Sequence, residues 1–176
     1  MEEHHPLLRR SKHDDEGGPI PYQGAHLLVV NDDPDASEMM RRLFGHHGFD
    51  ITLADTVEDA LVKLATNDPA IDIVLVDTHQ GGTSQALKLL ERIRSHENDD
   101  LVKTRVVVST DIDENRMFLW QSGADGFLVR PYHADELTMG LMEALGRGDA
   151  DRAAYRQDQI KAAGDIRTRR AAGEPI

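Results

Sequence analysis

The run Ile71-Asp72-Ile73-Val74-Leu75-Val76-Asp77 constrains the fold of this chain more than any other segment. Five of the six residues before Asp77 are aliphatic, the pattern of a strand buried on both faces of a parallel sheet. The run stops on a carboxylate and gives way to Thr78-His79-Gln80-Gly81-Gly82, which has the composition of a loop. An acid at the carboxyl end of a buried parallel strand lies where open α/β sheets bind their ligands. Taken alone, Asp77 reads better as a cap for the turn that follows. The rest of the chain has to decide between the two roles.

Upstream, Leu27-Leu28-Val29-Val30 reads as a buried strand, and Asn31-Asp32-Asp33-Pro34 follows it. Asp33 is suited to N-cap a helix that opens on Pro34 and continues to about His46. Asp50 to Ala54 forms a second strand, and Asp55 with Glu58 offers a capping box for the next helix. After the Asp77 strand come a helix from Gln85 to His96, a strand from Arg105 to Ser109 and a helix from Asp113 to Ser122. A last strand, Gly126 to Val129, and a helix from His133 to Leu145 complete the series. Five strands alternating with five helices specify an α/β domain with a parallel sheet and helices on both faces. The strands beginning at Leu27, Ile71, Val106 and Phe127 are nearly all apolar and are expected at the centre; the mixed Ile51-Thr52-Leu53 belongs at an edge. Residues 1–25 show no periodic apolar face and read as a flexible N-terminal tail, leaving residues 26–146 as the folded domain. Residues 147–176 read as a C-terminal extension, a short helix followed by a disordered tail.

Charge and composition narrow the function. The formal net charge is −12, and residues 26–146 carry ten Lys/Arg against twenty-two Asp/Glu, so the folded body holds the whole imbalance. Such a surface lacks the cations that phosphate contacts require, which argues against nucleic acid as a partner. Cysteine is absent, excluding disulfides and thiolate chemistry. No apolar run approaches a membrane span and the first residues lack a secretory pattern, so a cytoplasmic location without membrane contact is expected. The nine histidines show no regular ligand spacing.

In a parallel sheet the strand ends share one rim. Asn31 and Asp32, Asp77, Ser109 and Thr110, and Arg130-Pro131 all fall there. Two carboxylates on one rim repel unless a cation lies between them, and all-oxygen ligation suits Mg2+. A hydroxyl and a cationic side chain opposite are suitable donors to phosphate oxygens. This chemistry is phosphoryl binding beside a hard cation, with a carboxylate available as nucleophile.

The order Leu28-Val29-Val30-Asn31-Asp32-Asp33-Pro34, Ile73-Val74-Leu75-Val76-Asp77, Val107-Val108-Ser109 and Gly123-Ala124-Asp125-Gly126-Phe127-Leu128-Val129-Arg130-Pro131 resembles the receiver domain of two-component response regulators. The resemblance implies a flavodoxin-like (βα)5 doubly wound fold, a five-stranded parallel sheet in strand order 2-1-3-4-5. It implies that Asp77 is the phospho-acceptor, taking a phosphoryl group from a histidine kinase or phosphotransfer protein. In the same way Asp32 and Asp77 become direct Mg2+ ligands, His79 a ligand through its backbone carbonyl, and Asn31 a ligand through water. Ser109 and Arg130 would contact the phosphoryl group, and Ser109 and Phe127 would form the switch.

Three residues or segments depart from the family pattern. Asn31 replaces an acid, Arg130 replaces lysine with a bulkier, forked cation, and the loop after Asp77 has Gln80-Gly81-Gly82-Thr83 in place of Met-Pro. They keep open a second reading, a phosphorylation-independent pseudo-receiver that serves for docking or dimerisation. The four successive large apolar residues Met117-Phe118-Leu119-Trp120 cover more than half a helix circumference. Phe118 and Trp120 are therefore candidates for a partner surface, on the face where the resemblance places output and homodimer contacts (the fourth of the expected helices, the fifth strand and the fifth helix). The other place for Trp120 is in the core or beneath a tail. The thirty residues after Gly146 leave no room for an output domain, so the expected protein is a single-domain regulator acting through a downstream protein target. A metal-dependent hydrolase would need a further general base or substrate pocket, which the sequence does not offer.

Overall fold

A computed structural model describes residues 22–66, 68–78, 82–111 and 113–173. The chain forms β1 (His26–Val30), α1 (Pro34–His46), β2 (Asp50–Ala54), α2 (Val57–Thr66), β3 (Ile73–Asp77), α3 (Thr83–Arg94) and a short α4 (Asp99–Lys103). It continues through β4 (Arg105–Thr110), α5 (Arg116–Gln121), β5 (Gly126–Val129), α6 (Ala134–Gly146) and α7 (Asp149–Ala171). All strand pairings are parallel, in the order β2-β1-β3-β4-β5. The flavodoxin-like order expected from the resemblance is therefore the one adopted.

The period-two alternation of the strands divides the core into two layers. Leu27, Val29, Ile73, Leu75 and Val107 project to one face, where Met40 and Phe44 of α1 and Leu137, Leu141 and Leu145 of α6 cover them. Leu28, Val30, Val74, Val76, Val106 and Val108 project to the other, beneath Leu64 of α2, Leu89, Leu90 and Ile93 of α3, and Leu119 and Trp120 of α5. The strand expected at the centre from its apolar Phe127-Leu128-Val129 instead forms the edge opposite β2. Its residues are only half-buried. They are apolar because Phe127 serves one core layer and Leu128 the other.

The ends of the helices correct some sequence expectations. Asp33 caps α1 as expected, its carboxylate accepting from the amides of Asp35 and Ala36 at 2.9 and 3.1 Å. At α2 it is the Thr56 hydroxyl that accepts from the Asp59 amide, at 3.1 Å, rather than Asp55. The helix expected over 113–122 spans only Arg116–Gln121, and α4 was not foreseen. The last four residues assigned to the N-terminal tail are docked: Tyr22 stacks on Phe49 at 5.6 Å, and Ala25 is buried. Residues 1–21 lie outside the described residues.

The main correction is at the C-terminus. Instead of a short helix and a disordered tail, α7 runs for 23 residues. Its apolar residues are sparse, so arginines do much of the docking. Asp125, buried in the turn before β5, accepts from Arg152 at 2.9 and 3.0 Å, from Arg156 at 2.8 Å and from Arg94 of α3 at 2.8 Å. The same carboxylate accepts from the Val106 amide at 2.9 Å. Gly123, at φ +96°, ends α5 and leaves space for Arg94, which donates to its carbonyl at 3.0 and 2.8 Å. A Cβ at that position would meet Arg94 Nε at 2.8 Å. Between the arginines Tyr155 meets Trp120 edge to face, with ring centroids 5.7 Å apart, and Arg147 lies over the Tyr155 ring at 3.4 Å. Further along, Arg170 reaches Asp113 at 3.0 Å. Trp120 is thus 3% exposed beneath α7 and is not a surface anchor, whereas Phe118 is half exposed, at 48%.

Burial by itself would raise the pKa of Asp125, but Arg152, Arg94 and Arg156 outweigh it and hold the carboxylate below its ordinary value. Burial also lowers Arg94 to about 10, which leaves it charged at neutral pH. Because the folded pKa of Asp125 is depressed, its stabilisation is complete above the ordinary carboxylate value of about 4 and is lost as pH falls below it. Asp125→Ala should strand buried guanidinium groups and cost about 3 kcal/mol in urea unfolding followed by Trp120 fluorescence. The deficit relative to the unsubstituted chain should shrink as the pH is lowered below about 4.

Candidate functional site

The carboxyl ends of β1, β3, β4 and β5 bring the expected rim residues together. Asp77 ends β3, is 5% exposed and is the register partner of Ser109 on β4, which is fully buried. The segment after β3 is tied to β4, the Thr78 amide and hydroxyl donating to the Ser109 carbonyl at 2.8 and 3.1 Å. The Arg130 amide donates to the Thr110 carbonyl at 2.9 Å, extending the ladder beyond β5. The strand ends carrying these side chains are therefore fixed by the sheet itself.

Arg130 turns inward over this rim. Its guanidinium forms an ion pair with Asp77 and donates to the Thr78 carbonyl. Its Nε donates to Asp111 at 2.6 Å, and its Nη1 lies 3.4 Å from Ser109 Oγ. Burial tends to lower the pKa of this arginine, but the hydrogen bond to Asp111 and the charge of Asp77 more than compensate and raise it. A lysine ammonium is a compact point charge, whereas this planar fork spans Asp77, Thr78 and Asp111 at once.

Asn31 completes the other side of Asp77. Its Oδ1 accepts from the Asp33 amide at 2.8 Å, and its Nδ2 donates to Asp77 Oδ2 at 2.7 Å. The two partners fix the amide orientation, since an N–H needs an acceptor and a carboxylate needs a donor. Asn31 therefore acts as a donor to Asp77, where the resemblance implied a ligand reaching a metal through water. Asp32, next in sequence, is exposed.

Asp32, Asp55, Glu58 and Asp77, with Asn31, Thr78 and Gln85, line a cavity of about 220 Å³ at the end of β3. Among the described residues no group of three or more His, Cys, Asp or Glu side chains is placed to hold a metal. Of the carboxylates on this cavity, Asp32 and Asp77 are the pair at the strand ends, and oxygen donors of this kind fit magnesium, a hard cation that retains several waters and needs few protein oxygens. His79, whose carbonyl was an expected ligand, lies outside the described residues, as do Gln80 and Gly81. Phe127 is half-buried on β5 with the Arg116 guanidinium 5.0 Å above its ring.

Two residues of the rim had no role in the sequence reading. Asp111 holds the Nε of Arg130, and Tyr132 places its hydroxyl 2.7 Å from Ser109 Oγ. Tyr132 was detectable in principle, because it follows Arg130-Pro131 at the same strand end. Nothing in its residue type pointed inward.

The fold and this rim are those of a receiver. The family model described as the response regulator receiver domain matches residues 27–141, and the chain belongs to that family. It is 30% identical over 125 residues to the response regulator MprA of Mycobacterium sp. (strain KMS), covering 71% of this chain and 52% of that protein. It is 27% identical over 138 residues to the transcriptional regulatory protein TrcR of Mycobacterium tuberculosis, covering 77% of this chain and 49% of that protein. The chain thus spans about half the length of the curated relatives it matches. Among solved structures, a Francisella response regulator receiver domain superposes with a TM-score of 0.59 at 25% identity, over 69% of this chain and 97% of that one. Receiver domains are phospho-acceptors in signalling and do not turn over a substrate as enzymes do.

Removal of the Arg130 fork should expose how far Asp77 depends on it. Arg130→Ala is expected to cost about 3 kcal/mol in urea unfolding, because it leaves a buried carboxylate without its cation. In an Asp77→Asn background the same change should cost less than about 1 kcal/mol, since no buried charge remains to be compensated.

Proposed function

We propose that this chain is a phosphorelay receiver in which Asp77 accepts a phosphoryl group from the phosphohistidine of a histidine kinase or phosphotransfer protein. The supporting observation is the convergence on one carboxylate, at the buried end of β3, of the Arg130 guanidinium and the Ser109 hydroxyl. In the transfer an Asp77 oxygen attacks phosphorus, the P–O bond forms as the P–N bond breaks, and the imidazole leaves with the electron pair. The products are an acylphosphate on Asp77 and a histidine without its phosphoryl group. Arg130 carries two N–H-bearing nitrogens to the site and can hold two phosphoryl oxygens, while Ser109 donates to a third. Asp32 and Asp77 would hold a magnesium ion, which supplies charge neutralisation for the phosphoryl oxygens when bound.

Output then passes through protein contacts, with Ser109 and Phe127 as the residues whose arrangement responds to the acylphosphate. Phe118, at 48% exposure, is the residue we assign to a partner or homodimer surface; Trp120 is already occupied by Tyr155. The setting inferred for this signalling is the cytoplasm. One observation favours the rival phosphorylation-independent module. Arg130 satisfies Asp77 by an ion pair that requires no phosphoryl group.

Incubation with Mg2+ and acetyl phosphate separates the two. The proposal expects intact-mass measurement to show one added phosphoryl group, absent in Asp77→Asn. No addition from acetyl phosphate or from phosphorylated kinases would leave the docking module as the function.

A further inference from the structure

We propose that Tyr132 is a positioning residue for phosphoryl transfer, its phenol fixing the direction in which the Ser109 hydroxyl donates; the inference rests on Asp77 being the phospho-acceptor. Ser109 is fully buried and is the register neighbour of Asp77, so both side chains project to the same side of the sheet. Its hydroxyl has one proton and two lone pairs. Within reach of that oxygen are Tyr132 Oη at 2.7 Å and Arg130 Nη1 at 3.4 Å.

A guanidinium can only donate, so one lone pair of Ser109 faces Arg130. When the phenol donates as well, both lone pairs are engaged and the Ser109 proton is left for the acceptor side. If Tyr132 were absent, the hydroxyl would rotate among its staggered positions and donate to the site only part of the time. The tyrosine is itself held in place. Its ring packs against the core layer of Leu75, Val107 and Leu137, and Pro131 precedes it in the segment that also carries Arg130. Burial raises the pKa of the phenol, which keeps its proton available for donation at neutral pH. One short stretch after β5 thus supplies both the cation for the phosphoryl group and the group that aims the serine.

The test is a double-mutant cycle on the whole chain, reading the rate of acylphosphate formation from acetyl phosphate and Mg2+. Tyr132→Phe keeps the ring and should slow the reaction about fivefold, the loss expected for one neutral hydrogen bond. In a Ser109→Ala background the same change should have no further effect, because the hydroxyl it positions is gone. Equal slowing in both backgrounds, or none in either, overturns the inference while leaving Asp77 as acceptor. A chain that takes up no phosphoryl group overturns the acceptor reading and this inference with it. Fluorotyrosine at position 132 gives a readout independent of rate. Its fluorine resonance should shift on Ser109→Ala and again on acylphosphate formation, and a resonance unmoved by both overturns the role of the phenol.

Discussion

A carboxylate stays charged inside a protein only with cations or hydrogen-bond donors around it, and among the described residues this domain buries two, Asp77 and Asp125. Asp77 is held at the end of β3 by Arg130 and by the Asn31 amide. Asp125 is held in the turn before β5 by Arg94, Arg152 and Arg156. The first pairing shapes the rim at which we propose phosphoryl transfer. The second decides where the C-terminal helix goes, because two of its three cations come from α7.

The two centres serve different ends. At Asp125 the carboxylate is engaged by three guanidinium groups and the Val106 amide. At Asp77 the carboxylate borders a cavity shared with Asp32, and its cation is anchored from behind by Asp111. A guanidinium tethered in this way can move its remaining N–H groups onto phosphoryl oxygens without leaving the site. Ser109 lies on the same side, with its hydroxyl in contact with Tyr132. By covering Trp120, α7 also changes the character of the α5 face, leaving Phe118 as its exposed large apolar residue among those described.

Much of this was legible in the amino-acid order. Uninterrupted aliphatic runs gave the strands, and their terminal polar residues marked the rim, because a parallel sheet delivers every strand end to one side. The position of Asn31, Asp32, Asp77, Ser109 and Arg130 followed from that geometry. The direction of the Asn31 amide did not, since it depends on the Asp33 N–H and on the Asp77 carboxylate together. Nor did α7. Its periodicity is weak in apolar residues, and the residues that dock it are arginines whose partner is distant in sequence. Trp120 illustrates the same limit: a cluster of large apolar residues announces a buried face, yet the cover came from a segment that read only as a short helix sparse in apolar residues. Asp125 appeared only as part of a motif, and its role emerged once the cations converged on it.

The central claim is that Asp77, and no other carboxylate on the acidic rim, carries the phosphoryl group. Borohydride reduction of the acylphosphate followed by peptide sequencing tests it most directly, because reduction converts the modified aspartate to homoserine. The account predicts homoserine at position 77. Homoserine at Asp32 or Asp55, or at no position in a chain incubated with phosphodonor and Mg2+, would contradict it.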